Sequence, residues 1–184
     1  MATNKSNNAR ATAKFVRARE AYRLTNEFVL DLIVGTRVTE LYEHPAMKTK
    51  IGDAMSIGLT RLVVSHLVIT LSKWSEFYRR YKAVIPMDVR DACLQTSRDI
   101  ERRGIVRFRN RVVGHVWDNE LQRALTRSEI QSEITSIIGD SDAFSLWVNN
   151  PHKQVFPTTV VSVAERARDR IETEYGFSAV DLNT

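Results

Sequence analysis

One cysteine, four prolines and seven glycines in 184 residues leave little material for a disulfide framework or a loop-built fold. Cys93 has no internal partner, so no covalent bond braces the chain, and a reducing compartment is its natural setting. Sitting mid-pattern in a helical segment, it reads as a small buried hydrophobe, not a nucleophile. Long apolar runs are scarce too. The most apolar one, 62–71, spans ten residues and contains His66, against about twenty needed to cross a bilayer. It reads as a buried helix. Residues 1–12 are polar and hold no secretory signal core, so the expectation is a cytoplasmic protein with no membrane partner. Glycine-rich phosphate loops and a Gly-x-Ser-x-Gly elbow are absent. No pair of histidines has ligand spacing with a carboxylate, so neither a metal nor a cofactor is expected.

What is present is helical spacing. Apolar residues make up 43% of the chain, enough for a core. A first amphipathic helix is expected over about 10–34; Gly35 weakens it, a short turn continues through Val38 and Leu41, and His44-Pro45 stops it. A second, about 50–83, is apolar nearly all round at its middle, as suits the central helix of a bundle. Pro86 opens a third, to about Arg103, punctuated by Gly104. A fourth runs from Ile105 to about Trp117. Thr126-Arg-Ser-Glu129 has capping-box spacing and opens a fifth, through Ile138 to Gly139. A short helix follows over 141–148, then a loop over 149–157, and a last helix over 158–175 is ended by Gly176. The expected fold is all-α: an antiparallel bundle of five to seven helices. It forms one domain over 13–184 behind a flexible basic N-terminus, 1–12.

Charge is concentrated. The net is +5, yet residues 1–19 carry five basic groups and no acid. Residues 98–111 carry six arginines against Asp99 and Glu101. The rest of the chain is net negative. Two basic blocks suit an anionic partner, nucleic acid first and acidic protein second; a solvated helix face explains them equally well. Arg103, Arg107 and Arg111 recur every four residues as one row, and Arg102 and Arg109 form another. Glu20, Glu27 and Asp31 read as a solvated stripe. Trp74, Trp117 and Trp147 read as core aromatics, with Trp117 also placed to stack on a base. His66 reads as a satisfied core histidine, and His44 and His152, each beside a proline, as loop residues.

One stretch suggests chemistry: Arg107-Phe-Arg109-Asn110-Arg111-Val-Val-Gly114-His115-Val-Trp117-Asp118. An imidazole titrates near neutrality and can move a proton in phosphodiester cleavage. A guanidinium keeps its charge and forks onto phosphate oxygens. RNA carries its own nucleophile in the 2′-hydroxyl, so a base and a cation suffice without metal. Six residues apart on an α-helix, Arg109 and His115 would sit about 120° and about 9 Å apart. A bend at Gly114, the reach of Arg109, or a second copy of the chain would be needed to bring them together.

Arg109-Asn110, then Gly114-His115, following a long helix, resembles the signature of the HEPN superfamily: an Arg, often followed by Asn, His or Asp, with a His after four to six further residues. The Gly-His ending and Asp118 are closer to its abortive-infection branch. The resemblance rests on seven residues; the helical layout over about 10–118 agrees more loosely. It implies a HEPN-like core over about 13–125 with a helical extension over 126–184. It further implies a metal-independent endoribonuclease acting as a homodimer, of a kind found in phage defence and toxin–antitoxin systems, with an antitoxin or regulatory protein as a possible partner. By position, Arg109 would stabilise the phosphate, His115 would transfer protons and Asn110 would orient or bind. Arg102, Arg103, Arg107, Arg111 and Trp117 would contact RNA. The alternative is a non-catalytic HEPN bundle acting as an interaction, regulatory or RNA-binding module. A helical DNA-binding regulator is a weaker reading, since no helix-turn-helix stands out.

Overall fold

In the computed structural model, which describes residues 2–113 and 121–178, every regular element is helical. The chain forms α1 (Ala2–Glu43), α2 (Pro45–Tyr81), α3 (Met87–Arg102), α4 (Ile105–Phe108), α5 (Arg127–Ile138), α6 (Ser141–Val148) and α7 (Val160–Tyr175). From Arg109 to Val113, α4 continues as a π-helical turn. The all-α bundle expected from the spacing is what the chain adopts.

The first helix departs from expectation. It does not weaken at Gly35 but runs unbroken to Glu43, and it reaches back to Ala2 through the residues read as a flexible arm. Gly35 is a point of close approach instead. A Cβ there would lie 2.5 Å from Leu67 Cδ2 and 3.0 Å from its Cγ, so the missing side chain is what lets α2 cross. The one-residue joint is built by His44, whose Nδ1 accepts from the Ala46 amide at 3.3 Å, with Pro45 in the first turn where no amide is missed. His44 is thus a cap. The second helix starts at Pro45, earlier than expected, and kinks at Gly52, whose φ of 70° breaks the α conformation.

The core lies among α1, α2, α3 and α7. Leu32 of α1, Leu71 and Trp74 of α2, Ile100 of α3 and Val161 and Ile171 of α7 are almost wholly buried. Within the stretch expected as a helical extension, α7 supplies an inner wall of this core. That helix is fastened by a capping box in which the Thr159 hydroxyl accepts from the Ser162 amide and the Ser162 hydroxyl accepts from the Thr159 amide. Two buried polar pairs span the bundle: Trp74 Nε1 donates to the Cys93 carbonyl at 3.3 Å, and Ser97 Oγ to Ser75 Oγ at 3.2 Å. Burial pushes the Cys93 thiol up to about 12, in keeping with an inert core residue. The stretch of α2 from Met55 to Tyr81 is long and apolar enough to cross a membrane, which a count of the ten-residue run alone does not reveal. Here its face bearing Leu67, Leu71, Trp74 and Phe77 fills the core.

Candidate active site

Arg109 stands where two backbone irregularities meet. Gly104, at φ 75°, turns the chain out of α3 and caps α4 in the left-handed conformation, which favours glycine. One turn later the helix widens into the π turn that begins at Arg109 and packs on α2. Turns of this kind recur at functional sites. The 120° separation of Arg109 and His115 assumed an α-helix, so that arithmetic does not hold for a π-helical start. His115, Gly114, Trp117 and Asp118 lie outside the described residues.

The Arg109 side chain is 35% exposed. Nη1 donates to Asn110 Oδ1 at 3.0 Å, and Nη2 sits 3.3 Å from Glu76 Oε1 on α2. Asn110 thus holds the guanidinium from its own chain segment, while Glu76 holds it from the neighbouring helix. Carboxylate and phosphate compete for the same planar fork. At Arg109 a carboxylate occupies that fork.

The other arginines part company. They do not form the rows expected of one continuous helix, because Gly104 breaks the helix between Arg103 and Arg107. Arg103 is half-buried, its guanidinium 4.2 Å from the centre of the Trp147 ring. Trp147 is accordingly a half-buried platform, whereas Trp74 is core. Arg111 is drawn inward to Glu133 of α5 at 2.8 Å. Arg102 pairs with Asp99 on its own helix. Arg98 and Arg107 are exposed and have no ion-pair partner among the described residues.

Beside Glu76 a groove of about 270 Å³ runs between α1 and α2. Its floor is made by Phe28, Phe77 and Tyr81, and its rim by Glu27, Asp31, Lys73 and Arg80. The acids Glu27 and Asp31, read as a solvated stripe, are rim residues of this groove. Glu20, the third, accepts from the Tyr81 hydroxyl at 3.0 Å. Burial first, then that bond and the Glu20 charge, push the Tyr81 phenol up. His66 is half-buried with Nε2 3.3 Å from the Asp31 carbonyl, a satisfied histidine that fixes α2 against α1. Glu76 escaped sequence reasoning; its signal was the spacing of Lys73, Glu76 and Arg80, which puts all three on one face of α2. Among the described residues no three His, Cys, Asp or Glu side chains come together as a metal site.

No protein-family model matches the chain, and no curated protein matches it. A solved structure does: an integron cassette protein from the mobile metagenome of V. paracholerae, at 22% identity and a TM-score of 0.67. The match covers 83% of this chain and 94% of that one. At that identity the likeness is one of fold.

Proposed function

We propose that this chain is a HEPN-type endoribonuclease that cleaves RNA without metal, as a homodimer. In this reading Arg109 stabilises the charge that develops on the phosphate, His115 moves the proton and Asn110 orients Arg109. The observation that carries it is the partly exposed Arg109 guanidinium, aimed by Asn110 and, among the described residues, ion-paired with a carboxylate that a phosphate can replace. Pairing of two copies is supported by an apolar stripe on the α1–α2 hairpin: Leu30, Val34 and Leu41 on α1, with Met55 and Leu62 on α2, are 47–66% exposed. Action in the cytoplasm, in phage defence or beside an antitoxin, belongs to the same proposal through the motif.

The test is incubation of purified protein with total RNA in EDTA, comparing wild type with Arg109→Ala and His115→Ala, alongside the mass in solution. Expected are cleavage by wild type alone and a dimeric mass. Cleavage by all three proteins, or by none, defeats the catalytic assignment.

A second reading has its own observation. Arg102, Arg103, Arg109 and Arg111 all have partners within the chain, as a non-catalytic HEPN module would use them. That reading predicts that His115→Ala chiefly lowers the melting temperature; an unchanged melt leaves the histidine free for function.

A further inference from the structure

The groove between α1 and α2 adjoins Arg109 through a shared residue, Glu76, which both lines the groove and pairs with the guanidinium. Its size is just below the roughly 300–1,000 Å³ of ordinary small-molecule pockets, so it suits one small planar group. Its walls carry donors and acceptors side by side. The Asp31 carboxylate is half-buried and has no side-chain partner among the described residues, and the Lys73 ammonium and Arg80 guanidinium stand on the opposite wall. Glu27, with Arg23 at 3.8 Å, completes the rim. Below them Phe28 and Phe77 offer an apolar floor. Asp31, Glu27 and Glu76 are balanced in formal charge by Lys73, Arg80 and Arg109, and Arg23 adds one positive charge beside the rim, so an anionic chain is not repelled.

We propose that this groove receives a guanine base of the RNA whose phosphate lies on Arg109; the proposal rests on the RNA-cleaving reading of Arg109. Guanine is the base whose pairing edge sets two adjacent N–H donors, N1–H and the N2 amino group, beside an acceptor, O6. A carboxylate accepts both donors at once, and a neighbouring cation donates to O6. Adenine and cytosine present one amino donor next to a ring acceptor, which a carboxylate repels. Uracil has a single N–H between two carbonyls. Splayed single-stranded bases are read in this way, by stacking on an apolar surface and bonding along the pairing edge. Asp31 is the residue that reads the base, and Lys73 or Arg80 the group that meets O6.

The experiment measures binding on the His115→Ala protein, so that it does not depend on cleavage. The probes are the four nucleoside monophosphates and four tetranucleotides, three uridines with one variable base. Expected is at least about tenfold tighter binding of the guanine tetranucleotide than of the other three. Asp31→Asn and, separately, Glu27→Gln with Lys73→Ala reduce that preference while the melting temperature holds. Equal affinity for the four tetranucleotides, no binding, or a guanine preference untouched by Asp31→Asn overturns the proposal. Tighter binding of guanosine monophosphate than of the guanine tetranucleotide assigns the groove to a free nucleotide and overturns the RNA assignment. Cleavage with no base preference defeats the groove but not the nuclease; guanine binding without cleavage defeats the nuclease but not the groove.

Discussion

Replacing Glu76 with Gln should make the protein hold RNA more tightly. The substitution keeps the shape and an acceptor oxygen but removes the charge that now occupies Arg109. Because the two side chains are 35% and 53% exposed, solvent screens the 3.3 Å pair strongly. Pairs of this kind contribute about 0–1 kcal/mol. That is also the most that Arg109 must give up on moving to a phosphate, and 1 kcal/mol is about fivefold in an equilibrium constant. Loss of a negative charge within a Debye length of the bound backbone acts in the same direction. Fluorescence anisotropy with a short labelled RNA, on the His115→Ala background to prevent cleavage, should therefore show about two- to fivefold tighter binding at ~0.1 M salt. The gain should fade at ~1 M salt. The melting temperature should fall by no more than about 2–4 °C. Binding that is unchanged or weaker at low salt would show that Arg109 does not leave Glu76 for a phosphate.

Gly35→Ala places a Cβ 2.5 Å from Leu67 Cδ2 in the core. Overpacking of about 1–3 kcal/mol outweighs a helix-propensity gain of about 1 kcal/mol, so denaturant titration should show a net loss of ~1 kcal/mol. In a Leu67→Ala background the same substitution should stabilise; a gain in the wild-type background would contradict the close approach. The Arg123 guanidinium, followed by the amide and hydroxyl of Thr126, holds the Glu129 carboxyl well below the usual carboxylate range. A lowered folded-state value means that this contribution is complete above the ordinary value of about 4.3 and is lost as pH falls below it. Melts at pH 7 and pH 3 should show wild type losing more stability in acid than Glu129→Gln; equal losses would remove the cap's role.

Much of the scaffold was legible because local signals and tertiary demands agree. The capping box at Thr126 and the stop at Gly139 stand where the spacing placed them, since a cap is a short-range interaction. Gly35 misled because a glycine within a helix has two meanings. Its low propensity suggests a break, whereas its lack of a side chain permits a neighbour to approach; only Leu67 on α2 decides between them. The arginine rows failed for a related reason. A four-residue period makes a row only while the helix continues, and Gly104 at φ 75° ends it.

Charge, too, is settled by what folding brings near each residue. A block of six arginines is visible in the sequence, but the charge available to a ligand depends on which carboxylates and rings face each guanidinium after folding. Arg111 is committed to Glu133 with 18% of its side chain exposed, and Arg103 lies over Trp147. Arg98 and Arg107 project from the surface, where they can attract an anionic chain without orienting it. Arg109 is joined to the groove between α1 and α2, through Glu76, and aimed by a neighbouring amide. Attraction and positioning are thus divided between different arginines. If the proposed nuclease reading holds, neutralising Arg98 or Arg107 should weaken the salt-dependent approach of RNA, whereas neutralising Arg109 should change where its phosphate comes to rest.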